Sequence, residues 1–427
     1  MENYPENNNV FNEPPVNPGN SDNPNPVSGV NPHFPENNNP YGNNAPAGTA
    51  HTQPQPGMNY GAPAYSSEPS PVSIYNNSHT GNGPQYHYGN HHGFLNNQYL
   101  EEQRRKLMER RHHERNIKKL GTQNGIALLS LLVVANIFAS FLIIPTFYRL
   151  YEESIAFASA FGIFYSVVTM GGIFALFAKL KKGSKYFRPV PYNKPADPFK
   201  AFLLIVVGFG GCYLANYITS ILKIIGDSIG VYSDYSALQE PTGTFDILLI
   251  FVGTSIIPPL VEEFAMRGVV MQNLRRYGSA FAIVSSAVFF GVLHGNAAQI
   301  PFALLCGLFL GYAVIATESI WTGVIIHLLI NGMSAISSAL MFYYDTYVAN
   351  MFYTIGGWIG VIAGIVALVI YTNRYKNEFI LKNKGEAKDL PLKTKIGKFI
   401  SSPAMIIAII LYCIQAITTL SLTPPNS

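Results

Sequence analysis

Long apolar runs recur along the chain after residue 124, and short polar segments separate them. A helix needs roughly 17–25 apolar residues to cross about 30 Å of hydrocarbon, and these runs have that length. They are continuous rather than alternating, which is typical of membrane helices and not of barrel strands. The predicted spans are 125–147, 155–179, 201–225, 244–274, 279–297, 299–316, 320–340, 351–371 and 401–421. The pattern therefore predicts an all-α fold, a polytopic transmembrane helix bundle of about eight to nine spans.

The chain before the first span has a different composition. Residues 1–103 contain no Lys or Arg and are rich in Asn, Pro, Gly, Tyr and Ser. Such a segment buries too little apolar surface to offset its conformational entropy, so we predict that it is disordered. Residues 104–122 form a basic juxtamembrane segment, and 123–421 form the transmembrane bundle. Membrane lipid with anionic headgroups is one expected partner of the basic segment, and a solvated flank without a specific partner is the alternative.

The distribution of basic residues predicts the orientation of the bundle. With an inside N-terminus, the inner segments are 104–119, 180–200, 275–276 and 372–399, and together they hold 24 of the 28 Lys and Arg residues. The predicted outer loops contain only Arg149. Cytoplasmic loops of membrane proteins carry such an excess of positive charge, so we expect an integral membrane protein with a cytoplasmic N-terminus. The expected location is a bacterial plasma membrane.

Three charged residues lie inside the predicted span 244–274. Glu262, Glu263 and Arg267 are costly at membrane depth, and such residues are functional by default. Pro258 and Pro259 predict a helix break, which would put both glutamates in the first turn of a new helix, near free backbone N–H groups. Arg267 shares a helical face with Glu263, four residues away, so Glu262 is the carboxylate left free.

Two later spans bring further polar groups to membrane depth. His327 and Asn331 are four residues apart and share one helical face, and His294 lies within the predicted span 279–297. At about 1.5 Å per residue, Glu262 lies about 18 Å deep, His294 about 22 Å, Asn331 about 16 Å and His327 about 10 Å. Glu262 and His294 could activate a water molecule, while His327 and Asn331 donate to an oxyanion. Alternatively, Glu262, His294 and His327 are candidate ligands of a catalytic metal such as zinc.

The same residues fall into three motifs on successive spans. Glu262 to Arg267 fits EExxxR, Phe290 to His294 fits FxxxH, and His327 to Asn331 fits HxxxN. In this order the chain resembles the CPBP family of intramembrane proteases, which includes CAAX prenyl endopeptidases and bacteriocin-processing or Abi proteins. The resemblance covers roughly residues 240–340 and leaves both the Asn-rich N-terminus and the spans after residue 350 unmatched.

The resemblance implies roles for the six residues. Glu262 becomes the catalytic glutamate and His294 its partner in water activation, with His327 and Asn331 as oxyanion donors and Glu263 and Arg267 in support. Family members have been described both as metalloproteases and as metal-independent glutamate proteases, so zinc stays a candidate and no cofactor is certain.

The expected function is therefore that of an intramembrane endopeptidase acting on a membrane-associated or lipidated peptide or protein. A membrane scaffold or immunity protein with the same fold, in which the polar cluster serves structure, is the first alternative. An ion-coupled transporter is the second, because a broken helix with buried carboxylates also suits ion coupling. A nucleic-acid partner is not expected.

Overall fold

Helices form nearly all of the structure. The computed structural model describes residues 91–181, 190–233, 241–379 and 385–422. The helices are α1 (His91–Phe141), α2 (Pro145–Glu153), α3 (Ile155–Ser166), α4 (Ile173–Lys181), α5 (Pro198–Ser228), α6 (Thr244–Phe251), α7 (Ile257–Glu263), α8 (Met271–Leu274), α9 (Ser279–Leu293), α10 (Gln299–Thr317), α11 (Ile320–Tyr343), α12 (Thr346–Arg374), α13 (Leu392–Ile400) and α14 (Pro403–Thr418). Within the described ranges the only strands, β1 (Tyr232–Ser233) and β2 (Leu420–Ser421), form an antiparallel pair.

Three π-helical segments and one 3₁₀ turn interrupt these helices. The π-helical segments are Val167–Gly172, Val252–Ile256 and Phe264–Val270, and Arg275–Tyr277 is the 3₁₀ turn. The first segment joins α3 to α4, and the other two join α6, α7 and α8 into one long helix. Both glutamates of the EExxxR motif lie between two π-helical segments as a result.

Seven helical stretches in the described part of the chain are long and apolar enough to cross a membrane. They are Asn97–Phe141, Ile155–Leu180, Pro198–Ser228, Thr244–Tyr277, Gln299–Thr317, Ile320–Tyr343 and Thr346–Arg374. The bent pair α13 and α14 makes an eighth if it counts as one span. The predicted all-α transmembrane bundle is thereby confirmed.

The span predicted at 279–297 is shorter than expected. Its helix, α9, ends at Leu293 after 15 residues, about 22 Å, which is less than the hydrocarbon thickness. The chain turns directly afterwards, at Gly295, whose φ of 59° lies in the left-handed region. Glycine adopts this conformation without steric cost, so the turn ends α9 within the apolar run and leaves His294 at its end.

The first helix begins earlier than the sequence boundary at residue 103. α1 starts at His91, so residues 91–103 are helical rather than part of a disordered region. Glu102 and Lys106 form an ion pair of 2.7 Å at helical spacing, and the surrounding Glu, Gln, Arg and Lys residues are good helix formers. The rest of the region predicted to be disordered, 1–90, lies outside the described residues.

Segments predicted to be cytoplasmic meet at one end of the bundle, which we call the basic face. Its described segments are 104–119, 190–197, 275–278, 318–319, 375–379 and 385–402. Arg275 forms an ion pair with Glu318, and Arg276 Nη2 lies 3.1 Å from Glu386 Oε2. At the opposite end, β1 pairs with β2 and the Thr244 and Tyr343 hydroxyls lie 2.7 Å apart. The predicted inner and outer loops thus separate to opposite ends of the bundle.

Asp197 joins two long helices at the basic face. Its carboxylate accepts a hydrogen bond of 2.6 Å from the Tyr375 hydroxyl, just after α12, and one of 2.9 Å from the Lys200 N–H in the first turn of α5. The Tyr375 hydroxyl, followed by that backbone N–H, holds the pKa of Asp197 below its ordinary value. Asp197 is the N-cap of α5, where a carboxylate satisfies a free N–H of the first turn.

Glycines bring the helices into close contact. A Cβ added at Gly210 of α5 would lie 2.4 Å from the Gly360 carbonyl oxygen of α12. A Cβ added at Gly307 of α10 would lie 2.9 Å from the Cα of Ala287 in α9. Both helix pairs therefore pack backbone against backbone, as small residues allow in membranes.

Candidate active site

The helix that carries the two glutamates does not break at the prolines. Residues Thr244–Tyr277 form one continuous helix, contrary to the sequence expectation of a break near residue 258. A proline lacks an N–H and its ring clashes with the carbonyl four residues earlier in a regular helix. The wider π-helical turn at Val252–Ile256 contains residue 254, four residues before Pro258, and accommodates this clash. Glu262 and Glu263 consequently lie well inside a helix, and free N–H groups of a first turn do not stabilise them.

Glu263 and Arg267 instead form a buried ion pair. Their side chains are 0% and 1% exposed, and Arg267 Nη1 donates to Glu263 Oε1 over 2.8 Å. This is the pair that their spacing of four predicts. The Arg267 guanidinium also lies over the Phe290 ring, 4.4 Å from its centre, where the ring face attracts a cation. Opposite charge and an aromatic face thus surround the pair, while Glu263 Oε2 and Arg267 Nε and Nη2 make no hydrogen bond to another described residue.

His327 lies between the two carboxylates. Its Nδ1 is 3.0 Å from Glu263 Oε1, a hydrogen bond. Its Nε2 is 3.8 Å from Glu262 Oε2, which is too long for one. A carboxylate only accepts hydrogen bonds, so Nδ1 of His327 carries the proton of the shorter contact. The ring is therefore oriented by Glu263 with its other nitrogen towards Glu262.

Glu262 makes fewer and longer polar contacts than Glu263. Its side chain is 19% exposed, against 0% for Glu263. Its one ion-pair contact in the described part of the chain is the long one to His327, and it makes no hydrogen bond to another described residue. A carboxylate with free lone pairs and partial access is the group of this cluster that can accept a proton from water.

His294 lies at the end of α9 with one ring nitrogen fixed. Its Nδ1 donates to the Phe290 carbonyl oxygen over 2.7 Å, because a carbonyl only accepts. The Nε2 lone pair is then available as an acceptor. Phe290 contacts both imidazoles edge to face, with ring centres 4.9 Å from His294 and 5.9 Å from His327. One aromatic ring thus packs against both histidines and Arg267.

Asn331 is held by the π-helical segment before the prolines. Its Nδ2 donates to the Thr254 carbonyl oxygen over 2.9 Å, and the Ser255 hydroxyl donates to the Asn331 backbone carbonyl over 2.9 Å. The amide has two N–H donors, so one remains for a ligand. Asn331 is one helical turn from His327 on α11, which puts both donors on one side of the site.

Residues 244–333 match the family model described as Type II CAAX prenyl endopeptidase Rce1-like. All three motifs lie inside the matched segment, and the match confirms the predicted resemblance. It indicates a CAAX-type intramembrane protease. No curated protein and no solved structure matches the chain.

The acidic and imidazole groups of the matched segment 244–333 are the candidate ligands of a metal. Among the residues that the structure describes, no three His, Cys, Asp or Glu side chains are disposed to hold one ion. Glu263 is paired with the Arg267 guanidinium, and a cation beside it repels a second one. Nδ1 of His294 and Nδ1 of His327 are both in hydrogen bonds, so only the Nε2 atom of each ring could bind a metal. The candidate ligands Glu262, His294 and His327 do not form a zinc site in this geometry.

Four residues of this region make contacts that the sequence does not predict. Thr254 and Ser255 fix Asn331, although a lone Thr-Ser pair in an apolar span gives little signal. Gly323 leaves room for the Glu263 carboxylate, since a Cβ there would lie 2.8 Å from Oε2. Gln415 of α14 lies against the turn after His294, with its amide nitrogen 2.7 Å from where a Gly295 Cβ would be. Each acts through a contact that depends on tertiary packing.

Proposed function

We propose that the protein is an intramembrane endopeptidase that hydrolyses a peptide bond in a membrane-associated or lipidated substrate. The observation that carries this proposal is the unequal pair of acids. Glu263 is neutralised by Arg267 and His327, whereas Glu262 stands beside His327 with free lone pairs. The family match over residues 244–333 supports the same reaction class.

In the proposed reaction Glu262 is the general base. It accepts a proton from a water molecule that His294 Nε2 orients, and the water oxygen bonds to the substrate carbonyl carbon. Glu262 then returns the proton to the leaving amine as the C–N bond breaks. A positioned base of this kind contributes about 10² to 10⁴ in rate.

His327 and Asn331 are the proposed oxyanion donors. Asn331 has one N–H left after its bond to Thr254. His327 already donates its Nδ1 proton to Glu263, so donation to the oxyanion requires a second proton on Nε2. The ring would then be positive. Glu262 balances that charge until it accepts the water proton, and the oxyanion balances it afterwards. Donors fixed in advance at a water-poor site stabilise the oxyanion more than water does.

Proteolysis by purified protein in detergent tests the proposal, with a prenylated peptide as substrate and mass spectrometry of the products. Glu262→Gln and His294→Ala are each expected to lose about 10² to 10⁴ in rate. Glu152→Gln, an exposed acid at the opposite end of the bundle, is the matched control and keeps wild-type activity. Equal activity in wild type and both site variants contradicts the proposal.

The role of a metal is tested separately. Metal analysis of the active protein, combined with chelator treatment, distinguishes the mechanism above from one with zinc on Glu262, His294 and His327. If the chelator removes a stoichiometric metal together with the activity, and zinc alone restores the activity, the zinc mechanism is favoured.

A further inference from the structure

A groove of about 310 Å³ lies on the basic face, and none of its lining residues belongs to the matched segment 244–333. Helix α1 forms one wall, and α13 contributes the other. The lining residues are Met108, Arg111, Glu114, Arg115, Lys118 and Lys398. Four cations therefore face a single carboxylate, and the groove carries an excess of positive charge.

The one carboxylate of the groove, Glu114, already forms ion pairs with two cations. Glu114 Oε2 lies 3.0 Å from Lys398 Nζ, and its Oε1 lies 3.4 Å from Arg110 Nε, outside the groove. The contact with Lys398 joins α1 to α13, the contact with Arg110 lies within α1, and Glu114 is only partly exposed. Nothing on this acid is left to neutralise the other cations of the groove.

Arg111, Arg115 and Lys118 are exposed and have no acidic partner in the described part of the chain. Spacings of four and three put them on one face of α1, where like charges destabilise the helix slightly. An anion bound between them would remove this repulsion. Arginine guanidinium groups present paired N–H donors that fit phosphate oxygens.

The groove lies beside the membrane surface. Lys118 is three residues before Gly121, where α1 touches the backbone of Phe399 so closely that a Cβ would lie 2.0 Å from its carbonyl oxygen. α13 is bent by 79° from α14, so it runs across the end of the bundle rather than along a span. The apolar run of α1 begins directly after this corner. Lys118 is therefore the groove cation nearest to the headgroup level, and Arg115 and Arg111 lie about 5 Å and about 10 Å further from the apolar run along α1.

We propose that this groove binds the phosphate of an anionic membrane lipid through Arg111, Arg115 and Lys118. A soluble phosphate compound has the same chemistry, but the position of the groove beside the first span favours the lipid. Lipid bound there would lie in the groove between α1 and α13, away from the candidate active site.

Full-length protein in an uncharged detergent tests this site, with native mass spectrometry of retained lipid as readout. Phosphatidylglycerol is the anionic probe, and phosphatidylcholine at the same mole fraction is the zwitterionic reference. The groove variant Arg111→Gln, Arg115→Gln, Lys118→Gln is compared with Arg104→Gln, Arg105→Gln, Lys119→Gln, which removes three exposed charges from the same helix outside the groove. Thermal unfolding without lipid checks that both fold, and both replace exposed side chains only.

The groove variant is expected to lose about five-fold in phosphatidylglycerol affinity for each charge removed, about 100-fold in all. The control variant is expected to stay within about five-fold of wild type, and phosphatidylcholine binding is expected to change in neither. Equal losses in the two variants would show a diffuse basic flank and overturn the site. Displacement of phosphatidylglycerol by inorganic phosphate at low millimolar concentration would overturn the lipid as ligand and assign the site to a soluble phosphate.

Discussion

Two adjacent residues of identical chemistry have different environments in this protein. Glu263 is fully buried and bonded to Arg267 and His327, while Glu262 is partly exposed and keeps its lone pairs. The spacing of four between Glu263 and Arg267 made their pairing predictable. The bond from His327 to Glu263 was not predictable, because it joins residues 64 apart and depends on how α11 packs against α7. At the residue scale, local spacing assigns partners within one helix and fails between helices.

The buried ion pair leads to a stability prediction. Arg267→Met leaves the Glu263 carboxylate buried without a counter-charge, and breaking a buried pair in this way costs about 3–5 kcal/mol. The double variant Glu263→Gln, Arg267→Met removes both charges and is expected to regain most of that loss. Denaturant unfolding in mixed micelles measures both.

Lys223→Met is the control for this comparison. It removes the cation of an ion pair at the same spacing of four, but with side chains 49% and 34% exposed. Such a pair contributes at most about 1 kcal/mol. If Arg267→Met costs no more than Lys223→Met, the pair does not stabilise the bundle as described.

At the scale of elements, the long helix from Thr244 to Tyr277 differs most from its prediction. Sequence rules for proline predicted a break, because they count a lost hydrogen bond and a ring clash. The structure keeps the helix continuous through the π-helical segment Val252–Ile256. The same segment directs the Thr254 carbonyl to Asn331. No residue pattern predicts a π-helical turn. The prolines therefore showed where the helix is irregular, but not that a π-helical turn would keep it continuous.

Two glycines of α11 give opposite predictions for one substitution. A Cβ at Gly323 would lie 2.8 Å from both Glu263 Oε2 and Val314 Cγ2, whereas one at Gly332 meets nothing within 4 Å. Gly332→Ala is expected to stabilise by up to about 1 kcal/mol, the usual helix preference for alanine. Gly323→Ala is expected to destabilise by about 1–3 kcal/mol through overpacking. Thermal unfolding of the two variants and the wild type checks the signs.

The same pair separates packing from activity. Gly323→Ala displaces Glu263 and with it His327, so proteolytic activity should fall together with stability. Gly332→Ala should leave activity unchanged. A stable and fully active Gly323→Ala protein would contradict the close contact between α11 and Glu263.

At the scale of the whole molecule, apolar run lengths were enough to predict a helical membrane bundle. The short helix α9 was missed because the apolar run continues past the turn at Gly295, whose left-handed conformation no hydropathy pattern reveals. The start of α1 at His91 was missed because the boundary at residue 103 was set by the absence of Lys and Arg, and the helix extends into that part of the chain. Hydropathy predicts which segments enter the membrane, and backbone conformation decides where each helix ends.

The orientation of the bundle gives the last prediction. Segments carrying most of the Lys and Arg residues meet at the basic face, and such segments stay in the cytoplasm because translocating them is unfavourable. Single cysteines at Lys393, on the basic face, and at Glu152, at the opposite end, report the two sides in a Cys413→Ser background, since Cys413 is exposed. A membrane-impermeant maleimide is expected to label Glu152→Cys in intact cells and Lys393→Cys only after permeabilisation. The reverse pattern would put the basic face outside and contradict a cytoplasmic N-terminus. Labelling of both sites in intact cells would show that the reagent crosses the membrane. The two remaining cysteines, Cys212 and Cys306, are buried and are not expected to react. The orientation matters for function because His327 is the candidate catalytic residue nearest to the basic face, about 10 Å along α11 from its start at Ile320. If the basic face is cytoplasmic, substrate would reach His327 from the cytoplasmic side.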